Sequence, residues 1–89
     1  MRTKKSLGQN FLADPNIQRK IVDLLDLSSS DTVMEIGPGR GALTDHIVGQ
    51  VGHLILIELD DELAGGLQTR WGKRPDVDVL HQDFLDVDL

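Results

Sequence analysis

Eighty-nine residues, 39% hydrophobic and 27% charged, suit one small folded domain or part of one and exclude an intrinsically disordered chain. The lack of cysteine excludes a disulfide framework and a thiolate metal site, and the longest purely apolar run, residues 54–57, is far below the roughly 20 residues a membrane helix needs. The net charge of −6 is unevenly spread: residues 1–20 carry +4 and the other 69 carry −10.

The chain opens on Arg2, Lys4 and Lys5, and no apolar stretch follows before Gly8, Gln9 and Asn10. The start therefore does not read as a secretory signal, and a cytoplasmic location without membrane contact is the expectation. On charge alone it is a solvated tail. Across residues 14–25, Ile17, Ile21, Val22, Leu24 and Leu25 recur at helical offsets and predict an amphipathic helix, with Asp14 as cap and Pro15 in the first turn. Ser28, Ser29, Ser30 and Asp31 mark a loop, and residues 32–36 form a β-branched run that reads as a strand ending at Gly37. Ala42, Leu43, Ile47 and Val48 then share a helical face, with Gly49 and Gly52 bracketing its end.

Residues 53–59 are apolar almost throughout, the pattern of a parallel strand covered on both faces. Asp60 can cap a further helix in which Leu63, Leu67 and Trp71 lie four apart, and each of Gly65 and Gly66 weakens it by about 1 kcal/mol. Pro75 separates that helix from a third strand containing Val77, Val79 and Leu80, which runs out at His81, Gln82 and Asp83. Strand, helix, strand, helix, strand predicts an α/β fold: the first half of a doubly wound parallel sheet, with right-handed crossovers placing helices on its faces.

Ligands of such sheets lie beyond the carboxyl ends of the strands. The first strand end is Glu35, Ile36, Gly37, Pro38, Gly39, Arg40, Gly41, whose glycines permit a tight turn and close backbone approach. The second ends in Glu58 and the third in Gln82, Asp83 and Phe84. Glu58 stands 21 positions after Gly37, where an acid can bond ribose hydroxyls. A dinucleotide fingerprint is G-x-G-x-x-G, which places a pyrophosphate on a helix N-terminus. Here the spacing is G-x-G-x-G and Glu35 precedes it, which disfavours a phosphate and suits an amine or sulfonium. S-adenosylmethionine carries both. Asp83 is then a candidate acceptor for the adenine amine. Asp60 reads as a plain helix cap. His46, His53 and His81 have no metal-ligand spacing, and Trp71 reads as packing.

The run from Lys5 to Leu12 (KSLGQNFL), residues 35–44 (EIGPGRGALT), residues 57–60 (IELD) and Gln82 with Asp83 together resemble the ribosomal RNA adenine dimethyltransferases of the KsgA type, over nearly the whole chain. The resemblance implies a Rossmann-like class I methyltransferase fold, with residues 1–13 a basic arm and 14–89 the N-terminal half of the cofactor-binding domain. It implies dimethylation of two adjacent adenosines near the 3′ end of small-subunit rRNA, with S-adenosylmethionine as cofactor. By the same resemblance Asn10 and Leu12 border the cofactor, Gly37 lies under its methionine part, Glu58 holds the ribose, and Asp83 holds the adenine amine with Phe84 beside it. Glu35 and Gly39 complete the cofactor set, and Arg2, Lys4 and Lys5 resemble the residues the family places along the RNA.

The family's Asn-Leu-Pro-Tyr loop and C-terminal helical domain are not among these 89 residues. The expectation is that this stretch holds no catalytic residue and is inactive alone. With strand order 3-2-1, the outer edge of residues 33–36 is unpaired and invites self-association. Three alternatives stand beside this reading. They are a large-subunit rRNA methylase of the erythromycin-resistance type, a non-enzymatic RNA-binding relative, and a nicotinamide-dependent oxidoreductase half-domain.

Overall fold

The computed structural model describes residues 13–87. Asp14 caps the first helix, α1 (Pro15–Asp23), by accepting from the Asn16 N–H at 2.9 Å, and Pro15 occupies the first turn as expected. The helix ends at Leu24, and Asp26 enters the left-handed region at φ 50°. Its buried face differs from the predicted stripe. Gln18 and Val22 are buried, whereas Ile17 is 40%, Leu24 84% and Leu25 55% exposed. The two leucines follow the last helical residue, so the helical period no longer carries them round to the core.

The strands β1 (Thr32–Ile36), β2 (His53–Glu58) and β3 (Val77–His81) form one parallel sheet in the order β1-β2-β3. Val33 faces Leu54 across the first ladder, and Leu54 faces Val77 across the second, so these three share one side of the sheet. That side is the core. Leu54 and Leu56 pack there with Val77, Val22 from α1, Ile47 and Val51, and with Leu67 and Trp71 of the third helix. Burying each large apolar side chain stabilises the fold by about 1.5–3 kcal/mol. On β2 burial is complete on this side and mixed on the other, where Ile57 is buried but His53 and Ile55 are only half-buried. Cover on both faces was expected, yet the packed helices all contribute to a single-sided core.

The second helix, α2 (Thr44–Ile47), is shorter than the predicted one, because Ala42 and Leu43 belong to the preceding turn. Gly41 explains the close join to the next layer. It adopts φ +86°, and a Cβ there would lie 2.6 Å from the Trp71 ring. The third helix, α3 (Asp61–Trp71), runs unbroken through Gly65 and Gly66, with Asp60 capping it through the Leu63 N–H at 2.9 Å. Ala64, Leu67 and Trp71 form its buried side, and this burial offsets the weak intrinsic helicity of the two glycines.

Candidate functional site

Two backbone hydrogen bonds draw the three strand ends together. The Gly37 N–H donates to the Ile57 carbonyl at 2.8 Å, and the Gln82 N–H donates to the Glu58 carbonyl at 3.1 Å. The glycine loop, Glu58 and the residue before Asp83 are thereby joined in one row along the carboxyl edge of the sheet, as the spacing predicted.

Glu58 is buried, with 7% exposure, yet both of its carboxylate oxygens are bonded. Oε1 accepts the Gly39 N–H at 2.9 Å and Oε2 accepts the Asp60 N–H at 3.0 Å. An ionised carboxylate offers about four acceptor positions, so these two bonds leave capacity for a ligand's hydroxyls. The contact to Gly39 was not legible in the sequence, since no local pattern joins residues 19 positions apart.

Glu35 is half-buried at the end of β1, and its Oε1 accepts the Thr44 hydroxyl at 2.6 Å. Burial pushes its carboxyl above the ordinary value, and the Thr44 hydrogen bond acts in the opposite direction. Thr44 itself is fully buried at the start of α2, a role that sequence reasoning missed. Asp83 caps the short 3-10 helix Phe84–Asp86 by accepting the Leu85 N–H at 2.9 Å through Oδ1, and Phe84 is half-buried.

Between these acids the loop is bare. Gly37 and Gly39 adopt φ +68° and +61°, and an ideal Cβ at either would meet nothing within 4 Å. Open space over a backbone that only glycine takes easily, flanked by Glu35 and Glu58, fits an adenosyl group bearing a cation better than one bearing a phosphate. A cavity of about 410 Å³ adjoins this row, lined by Gly39, Arg40 and Asp60 and by Leu63, Gly66 and Trp71 of α3. It shares Gly39 and Asp60 with the strand-end row but not Glu35, Glu58 or Asp83, so the chemistry points to the row rather than to the cavity.

The remaining candidates are accounted for in turn. Arg2, Lys4, Lys5, Asn10 and Leu12 lie outside the described residues. His46 bonds Gln18 at 3.1 Å, His53 pairs with Asp78 at 2.7 Å, and His81 bonds the Leu59 carbonyl at 3.1 Å. Trp71 packs in the core beneath the Arg70 guanidinium, 4.3 Å from its ring centre. No helix among the described residues is long and apolar enough to cross a membrane.

The sequence profile of the family described as ribosomal RNA adenine dimethylase matches residues 1–89. The chain belongs to that family. Its relatives include the ribosomal RNA small subunit methyltransferase A of Geobacter metallireducens, 38% identical over 89 residues, or 100% of this chain and 32% of that protein. The protein of the same description from Koribacter versatilis is 46% identical over 86 residues, covering 97% of this chain and 30% of its own length. The chain thus spans about a third of the length of the curated relatives it matches. Among solved structures, the 23S rRNA methyltransferase ErmE superposes with a TM-score of 0.75 at 28% identity, over 85% of this chain and 31% of that one. A dimethyladenosine transferase from Plasmodium falciparum gives 0.74 at 27% identity, over 85% and 28%. The three-stranded parallel α/β unit of this family member is therefore the N-terminal part of the methyltransferase fold, as the motifs led us to expect.

Proposed function

We propose that these 89 residues form the cofactor-binding half of an S-adenosylmethionine-dependent enzyme that dimethylates two adjacent adenosines near the 3′ end of small-subunit rRNA. The observation that carries this reading is the bare Gly37 to Gly39 backbone held between the Glu35 and Glu58 carboxylates at adjoining strand ends. Sequence relatives described as small-subunit methyltransferases support the substrate. The fold likeness to ErmE keeps a large-subunit substrate as the second reading.

When bound, S-adenosylmethionine supplies a methyl group made electrophilic by its sulfonium. The residues of this chain bind and orient it. Glu35 offers a carboxylate to the cationic methionine end, and the loop backbone at Gly37 and Gly39 admits that end without side-chain obstruction. Glu58 accepts from the ribose hydroxyls, Asp83 accepts from the adenine amine, and Phe84 flanks the ring. Asn10 and Leu12 close the border of the site. The target base has to leave its stack and present its nitrogen in line with the methyl, and fixing the adenosyl group removes one side of that search.

Arg2, Lys4 and Lys5 contact RNA phosphates, which makes affinity fall steeply with salt. The acceptors that sharpen the adenine nitrogen as a nucleophile are contributed by the part of the relatives that this chain does not span. The protein acts in the cytoplasm on immature small ribosomal subunits.

Calorimetric titration tests this. The 89-residue chain should bind S-adenosylhomocysteine and ignore NADH, and it should give no turnover on under-methylated small subunits. Binding of NADH in preference, or of neither, sinks the cofactor reading. Turnover above background sinks the assignment of this stretch as the cofactor half alone.

A further inference from the structure

Thr44 is fully buried, yet its side chain carries a hydroxyl, and that hydroxyl has one use: donation to Glu35 Oε1 at 2.6 Å. The bond joins the end of β1 to the first residue of α2 and so closes the glycine loop from behind. Other ties hold the same loop: the Gly37 N–H donates to the Ile57 carbonyl at 2.8 Å, Glu58 accepts the Gly39 N–H at 2.9 Å, and Gly41 lies against the Trp71 ring. These restrain the backbone. Only the Thr44 bond restrains a side chain that a ligand cation needs.

The second Glu35 oxygen, Oε2, has no hydrogen-bond partner among the described residues, and no unpartnered side-chain oxygen among them is buried. Oε2 is therefore unpartnered among the described residues and not completely buried. We propose that Thr44 is a positioning residue of the cofactor site: by donating to Oε1 it fixes the orientation of the Glu35 carboxylate, with Oε2 presented to the cationic methionine end. This rests on the cofactor reading above and adds a residue to it.

The charge logic is direct. Burial disfavours the carboxylate, and a hydroxyl donor favours it. Removing the donor leaves burial unopposed, so protonation of Glu35 moves to higher pH and attraction for a cation is lost first at the acid end. No other described side chain bonds Glu35.

The test titrates the 89-residue chain with S-adenosylmethionine and, separately, with adenosine, which lacks both amine and sulfonium, from mildly acidic to neutral pH. Thr44→Val should weaken S-adenosylmethionine about tenfold while changing adenosine by less than about twofold. It should also raise the pH midpoint of S-adenosylmethionine binding, and Thr44→Ser should restore both. Equal weakening of the two ligands, or an unmoved midpoint, overturns the proposal and leaves Thr44 a structural tie. If wild type binds neither ligand, the cofactor reading itself has failed. Should Thr44→Val not fold, NMR of the wild-type chain decides: the Thr44 side chain and the Glu35 carboxyl should titrate with one midpoint, lowered by S-adenosylmethionine and unmoved by adenosine. Separate midpoints, or no effect of S-adenosylmethionine, overturn the proposal.

Discussion

The Glu58 carboxylate accepts the Gly39 N–H at 2.9 Å, so the acid at the tip of the second strand holds the glycine loop that follows the first. The same carboxylate accepts the Asp60 N–H at 3.0 Å, and one side chain thereby sets the relative positions of two turns that flank the site. A residue read from the sequence as a ribose ligand is also a fastener of the loop it faces.

Glu58→Gln separates these roles only in part, because an amide has one oxygen where two N–H donors need two. One of the Gly39 and Asp60 N–H groups then faces an NH2 group. The expected loss of stability is about 1–3 kcal/mol, with weaker S-adenosylhomocysteine binding. Urea unfolding beside calorimetry measures both. An unchanged unfolding midpoint would show that the loop is held by its other contacts.

Two glycines should answer oppositely to alanine. At Gly41 a methyl would lie 2.6 Å from the Trp71 ring in a backbone at φ +86°, so Gly41→Ala should cost about 2–4 kcal/mol. At Gly65 a methyl meets nothing within 4 Å in the middle of α3, so Gly65→Ala should stabilise by about 1 kcal/mol. Thermal unfolding of the pair checks the sign of each.

Glu35 gives a pH dependence of definite sign. Burial raises its folded value above the unfolded one, so its contribution to stability is present at low pH and lost as pH rises through the raised value. Glu35→Gln should accordingly be more favourable, relative to wild type, at neutral pH than in acid. Asp76 runs the other way: its hydrogen bonds from Arg74 depress it, so its support appears above the ordinary carboxylate range and fades in acid. Urea unfolding against pH, with the Glu35→Gln difference falling rather than growing, would contradict the burial of Glu35.

The outer edge of β1 has no partner strand among the described residues, and Ile36 at its end is 54% exposed. We expect the 89-residue chain to self-associate along that edge. Sedimentation should show association that rises with concentration and is reduced by Met34→Pro, because the Gly37 N–H faces β2 and strand alternation therefore turns the Met34 N–H to the free edge. A monodisperse monomer counts against it.

Periodicity and punctuation were enough to place the three strands and two of the helices, α1 and α3, but not the start of α2. Apolar spacing and the caps Asp14 and Asp60 located α1 and α3, and the β-branched runs located β1 to β3, because these signals act between residues close along the chain. The strand-end positions of Glu35, Glu58 and Asp83 followed from that alternation. Where α1 presents its face did not, because Leu24 and Leu25 lie just beyond its end and local period says nothing about where a helix stops against its neighbours.

Sequence by itself determined the family, the order of strands and helices, and which acids stand where the strands stop. Tertiary structure alone decided that Glu58 bonds Gly39, that Thr44 bonds Glu35, and that Gly41 is small because Trp71 lies against it. Each of these joins residues that no local spacing relates, and each exists only after the crossovers have laid the turns beside one another. Short-range propensity writes the elements, whereas hydrogen bonds between distant turns depend on how the layers pack.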